Sequence, residues 1–199
     1  MTDAGRNLVG PAFTLRYIPA REDLDVLEAF KNPEHPQRKA VETVPAGAVL
    51  VIDCRRETQS ASAGHILVTR LKVRGAAGLV SDGPLRDSES IAAMDFPVYC
   101  AGASAPTNLI THHAIDINLP IGCGGVAVYP GDIVVGDGDG VVVIPQHLAG
   151  EVAKDAAGQE ELERFILERI EDGAPLPGTY PPDEQTLAAY QQWKADSKA

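Results

Sequence analysis

A layered α/β domain with a mixed sheet, followed by a helical arm at the C-terminus, is the fold this sequence predicts. Three observations carry the prediction. Short β-branched apolar runs recur as far as residue 144, segments with helix start and stop signals alternate with them, and from residue 149 the pattern becomes helical throughout.

The runs Ala48–Asp53 (AVLVID), Ala77–Ser81 (AGLVS), Pro97–Tyr99 (PVY), Ile133–Val135 (IVV) and Val141–Ile144 (VVVI) read as buried strands. PGD at 130–132 and GDGDG at 136–140 are turn signals, so the last two runs read as a hairpin. Ser62–Gly75 ends in Lys72, Arg74 and a glycine, which suits a helix of about three turns. Asp87–Met94 places an Asp cap and polar residues ahead of an apolar stretch, a second helix start. In 149–172, Val152, Ala156, Leu162, Phe165, Ile166 and Ile170 follow a spacing near 3.6, predicting one long helix. PLPGTYPP then breaks the chain, and Asp183–Lys194 reads as a last short helix bearing Tyr190 and Trp193, exposed or docked elsewhere.

Of 199 residues 44% are hydrophobic, enough for a core, and the formal charge is −11. Residues 151–199 hold eleven acids against five bases. Such a balance argues against nucleic acid and anionic membrane surfaces as partners. No run approaches a membrane span and MTDAGRNLVGPAF lacks the layout of a signal peptide. Cys54, Cys100 and Cys123 are odd in number and have no metal-ligand spacing, so a reduced cytoplasmic protein is expected.

The segment most suggestive of chemistry is RGAAGLVSDGPLRD (74–87). A buried strand runs into an Asp-Gly turn and presents Arg86 and Asp87 where the next helix begins, the kind of strand end at which α/β sheets collect ligands. Arg86 can fork onto a carboxylate or enolate oxygen, and Asp87 can bind a hard cation. The plainer reading makes Asp87 a helix cap and Arg86 its surface partner.

This segment, together with GGVAVYPGDIVVGDGDG (124–140) and the intervening FPVYCAG, resembles the RraA-like family, which includes class II 4-hydroxy-4-methyl-2-oxoglutarate aldolases and regulators of ribonuclease E. The resemblance implies a swivelling α/β/β/α sandwich over residues 1–172, with 173–199 as an extension carrying the short helix. It also implies a homotrimer or dimer of trimers with sites at subunit boundaries. For activity it implies a divalent-metal-dependent lyase (Mg2+ or Mn2+) that acts on a small 2-keto acid through pyruvate enolate, by aldol cleavage or oxaloacetate-type decarboxylation. Arg86 would contact the pyruvyl part and Asp87 would hold the metal through its water shell. Gly64, His65, Ile66 and Leu67 would offer backbone N–H groups to the carboxylate, and Glu161 of a neighbouring subunit would approach the metal. The family's proton-handling Asp falls on His65, whose imidazole can also relay a proton. That replacement favours the alternatives, a non-catalytic ribonuclease regulator or an enzyme for another carbonyl substrate.

Other candidates are weaker. His112 and His113 are adjacent, so on a strand they face opposite sides and suit a loop or subunit contact better than a shared metal. Asp132, Asp137 and Asp139 read as turn residues, GCGG (122–125) as a bulge without a P-loop lysine, and Cys123 as a small buried side chain.

Overall fold

A computed structural model describes residues 7–196. The chain divides into two compact units, residues 1–146 and 147–199. The first is built on a seven-stranded mixed sheet in the order β4 (Val98–Tyr99), β3 (Gly78–Ser81), β2 (Val49–Asp53), β1 (Leu8–Pro19), β8 (Ile133–Gly136), β9 (Val141–Ile144), with β5 (His112–Ile117) also on β1. Strands β1 to β4 run parallel to one another. The other edge of β1 is shared: Leu8–Pro11 pair antiparallel with β8, and Leu15–Pro19 pair antiparallel with β5 through a register shift at Arg16/Tyr17. One strand thereby curls the sheet, since its two halves carry different neighbours.

The pattern of β2 shows why the middle of the sheet is apolar on both faces. Leu50 and Ile52 point into a core with Leu15, Val68, Leu71 and Leu79, whereas Val49 and Val51 point into a second core with Leu8, Val128 and Val134. Period-two alternation between two buried faces leaves no position for a polar residue until Asp53. Helices α1 (Pro36–Thr43), α2 (His65–Val73) and α3 (Ser88–Ala92) supply the first of these cores. The predicted α/β class is therefore the one observed. Helix α2 is shorter than predicted, because Ser62 N–H donates to Pro84 O (2.8 Å) and Arg86 N–H donates to Ala63 O (3.1 Å). Those bonds hold residues 62–63 extended beside 84–86. GCGG is a turn and not the expected bulge: Gly124 and Gly125, at φ 61° and 86°, join β6 (Ile121–Cys123) to β7 (Val126–Val128), a conformation that favours glycine at both positions.

In the second unit α4 (Ala149–Glu171) is the predicted long helix, ended by Gly173 at φ 93°. A short kinked turn, α5 (Leu176–Thr179), leads to α6 (Glu184–Asp196). Tyr190 docks on Phe165 within this unit, with ring centroids 5.6 Å apart, and Trp193 lies at the same distance from Phe165. Among the described residues no helix is long and apolar enough to cross a membrane.

The two adjacent histidines face opposite sides of β5, and each has a partner within the chain; for His113 that partner, Asp25, lies in a loop, as expected. His113 Nδ1 lies 2.9 Å from Asp25 Oδ1, and the fully buried His112 stacks on Tyr17 at 5.0 Å. Burial, followed by the charge of Arg55, lowers the His112 pKa below its ordinary value, and Glu57 and Asp82 only partly oppose this. The unfolded chain therefore takes up this proton more readily than the fold does, so stability is complete above about pH 6.5 and falls as pH drops below it. A thermal melt scanned from pH 7.5 to 5.5 is expected to show a falling Tm, and His112→Phe, which keeps the stack, should make that fall shallower.

Candidate functional site

The site is assembled from the start of α2 and the start of α3. At Gly64 the backbone has φ −135° and ψ 178°, a conformation open to any residue. What glycine provides there is space: a Cβ would lie 2.7 Å from Arg86 Nε and 2.8 Å from Asp87 Oδ2. The two side chains named by the RD motif thus lie directly against the first turn of α2.

Asp87 occupies the residue before α3, but its side chain does not cap that helix. Its backbone is left-handed (φ 59°, ψ 35°), uncommon for a residue with a Cβ, and this turns the carboxylate back across the site. Oδ2 accepts the His65 N–H at 3.0 Å and lies 3.7 Å from Arg86 Nε. The reading of Asp87 as an ordinary cap is corrected accordingly: it caps α2, a helix 22 residues back in the chain. Leu67 N–H is taken by Gly64 O at 3.0 Å. The Ile66 N–H has no acceptor among the described residues, so the positive end of α2 keeps an amide for an anion. Arg86 and Asp87 are each about half exposed, and the attraction between them contributes little to stability.

Arg86 stands between two cavities. One, of about 100 Å3, is lined by Gly64, Ile66, Leu67 and Arg86 together with Arg38 and Asn108. The other, of about 430 Å3, is lined by Arg86, Asp87, Ser88 and Ser104. The floor beneath the site is fixed by a buried polar network. Gln37 Nε2 donates to Ser62 O (2.7 Å) and to the Tyr17 oxygen (3.0 Å), and Tyr17 OH donates to the same Ser62 O (3.0 Å). Ser62 Oγ also lies 2.9 Å from Ser81 Oγ at the end of β3.

Of the sequence-derived residues, Gly64, His65, Ile66, Leu67, Arg86 and Asp87 come together, His65 through its backbone amide. Glu161 belongs to the helical unit, where its carboxylate accepts hydrogen bonds from Tyr190 OH (2.9 Å) and from Lys194. Cys123 is buried, with its thiol pushed up to about 12 by burial and by Asp82, so it has no nucleophilic character. Sequence reasoning missed Gln37, Arg38 and Asn108, although Pro36 ahead of Gln37-Arg38 was a legible helix start.

Comparison with known proteins shows the family. A family model for RraA-like proteins (Aldolase/RraA) matches residues 1–143. A Halalkalibacterium halodurans protein named "Putative 4-hydroxy-4-methyl-2-oxoglutarate aldolase" is 35% identical over 167 residues, covering 82% of this chain and 73% of that protein. An uncharacterized protein of Methanocaldococcus jannaschii is 42% identical over 117 residues, 57% of this chain and 54% of its own length. Among solved structures, Streptomyces coelicolor RraAS2, described as an unusual member of the RNase ES inhibitor RraA protein family, superposes with a TM-score of 0.72 at 32% identity, covering 82% of this chain and 77% of that one. With residues 1–143 matched by the family model and 82% of its length matched by a 35% identical relative, the chain belongs to the RraA-like family.

Proposed function

We propose that this protein is a divalent-metal-dependent lyase that releases pyruvate from a small 2-keto acid by way of the enolate, through retro-aldol cleavage, oxaloacetate-type decarboxylation or both. The observation that carries this reading is the placement of Arg86 and Asp87 against the glycine that opens α2. The aldolase name of the Halalkalibacterium relative supports the reaction class.

The residues present suit Mg2+ or Mn2+ held at one point. Among the described residues no three His, Cys, Asp or Glu side chains gather as a ligand set. Asp87 Oδ1 accepts no hydrogen bond from a described residue, so it would hold the ion, with water and the substrate's own oxygens completing the sphere in the manner Mg2+ prefers. When bound, such an ion supplies Lewis-acid stabilisation of the developing enolate oxygen. The protein's own groups do the rest. The Ile66 amide and the α2 N-terminus bind the substrate carboxylate. Arg86, always cationic, steadies the oxygen on which charge accumulates. His65, the titratable side chain of that first turn, returns a proton to the enolate carbon. The reading makes no use of Glu161. Assembly as a homotrimer or dimer of trimers in the cytoplasm belongs to the same proposal.

Pyruvate release from oxaloacetate and from 4-hydroxy-4-methyl-2-oxoglutarate, with Mg2+ or Mn2+ and with EDTA, tests the reading. Turnover should require the metal and return when it is restored. Asp87→Asn keeps a residue that tolerates the left-handed backbone and can still accept from His65 while removing the charge; it should lower kcat/KM by roughly a hundredfold. Turnover that ignores EDTA, or is unchanged in Asp87→Asn, sinks the proposal. Inhibition of a ribonuclease by a protein with no lyase turnover would establish the regulator reading in its place.

A further inference from the structure

The smaller cavity contains more charge than the pyruvyl end of a substrate needs. Arg38 lies half-buried on α1 with its guanidinium 4.2 Å over the Phe30 ring, and no carboxylate among the described residues is within ion-pair distance of it. Arg38 and Arg86 both line this space; burial lowers the Arg38 pKa, opposed by Tyr17 and reinforced by the charge of Arg86. Asn108, 5% exposed, lines the same space; its Oδ1 accepts from Thr107 Oγ1 (3.3 Å), while its Nδ2 has no hydrogen-bond partner. Gln37 is 2% exposed and holds the floor through Nε2, leaving Oε1 as an unpaired acceptor. Buried polar groups without partners are costly, and native folds keep few of them unless something else satisfies them.

We propose that Arg38 and Asn108 Nδ2 form an anion-binding subsite that grips a carboxylate at the far end of the substrate, making Arg38 a specificity-determining residue. This rests on the lyase reading only in placing the near end of the substrate at Arg86 and Asp87. A carboxylate there would pair the free guanidinium and fill the open amide together. Gln37 Oε1, which repels an anion, is left to a water or to a hydroxyl on the substrate chain. A 2-keto acid ending in a methyl group leaves both donors unmet, so discrimination comes from their desolvation as well as from the attraction lost.

The test uses the full chain with Mg2+ and two five-carbon probes that differ only at the far end, a carboxylate in 2-oxoglutarate and a methyl in 2-oxovalerate, with affinities measured by calorimetry. The wild-type protein should bind 2-oxoglutarate tighter by roughly tenfold to a hundredfold, the worth of one charge-assisted contact. Arg38→Met keeps the apolar stem against Phe30 and should erase that preference while leaving 2-oxovalerate within about twofold. Asn108→Asp sets a like charge against the carboxylate and should weaken 2-oxoglutarate selectively. Arg86→Met should weaken both probes. The subsite is overturned if the wild type shows no preference, or if Arg38→Met weakens the two probes alike. Failure of both keto acids to bind the wild type would overturn the lyase reading as well, whereas 2-oxovalerate binding that depends on Arg86, without selectivity, would sink the subsite alone.

Discussion

Replacing Arg86 by methionine is expected to lower kcat/KM for pyruvate release by on the order of a thousandfold, with the melting temperature almost unchanged. The two halves of that expectation have separate causes. Removing a preorganised donor from a developing oxyanion costs about 10²–10³ in rate, and in the proposed reaction the enolate oxygen is the one that Arg86 steadies. The half-exposed pair with Asp87 at 3.7 Å contributes little to stability, so the fold should barely respond. Arg86→Lys should recover only part of the rate, because a point charge cannot present the guanidinium fork. Steady-state kinetics beside a thermal melt checks both halves, and a large drop in Tm would mean that Arg86 is structural.

Gly64→Ala is the second large effect, expected at roughly a hundredfold loss of activity with about 1–3 kcal/mol of destabilisation. Its backbone dihedrals are ordinary, so the cost is not conformational. The added methyl would meet Arg86 Nε at 2.7 Å and Asp87 Oδ2 at 2.8 Å, closer than any contact survives. Either the Arg86 and Asp87 side chains swing aside or the RD turn or α2 moves, and a displacement of about 1 Å is enough to undo positioning. Denaturant unfolding and turnover, measured on the same sample, read the two costs. An alanine variant with normal turnover would show that the close approach is dispensable.

Local signals made much of the fold legible. β2 was readable because every residue before Asp53 is apolar, the β8–β9 hairpin because its turn is marked by Gly and Asp, and α4 because its period is unbroken over many residues. What the letters concealed was pairing over distance. Nothing in the sequence of β1 says that its first half meets β8 and its second half β5. The site divides along the same line. Arg86 and Asp87 are neighbours in sequence, so a motif exposed them, and their family likeness led to Gly64–Leu67. Arg38 and Asn108 come from segments 70 residues apart and meet at one cavity only through the tertiary fold. The backbone of Asp87 was equally hidden: Asp before a helix reads as a cap, and only the left-handed turn sends its carboxylate to a different helix.

The double pairing of β1 also sets a timetable for synthesis. Gly136, the partner of Leu8, and the rest of β8 are made more than a hundred residues after it, a wait on the order of ten seconds at about 5–20 residues per second. Throughout that interval the nascent chain holds an unsatisfied strand edge that is open to pairing with other chains. Slow, late-closing assembly, and a need for chaperone cover at high expression, follow from giving the earliest strand its latest neighbours.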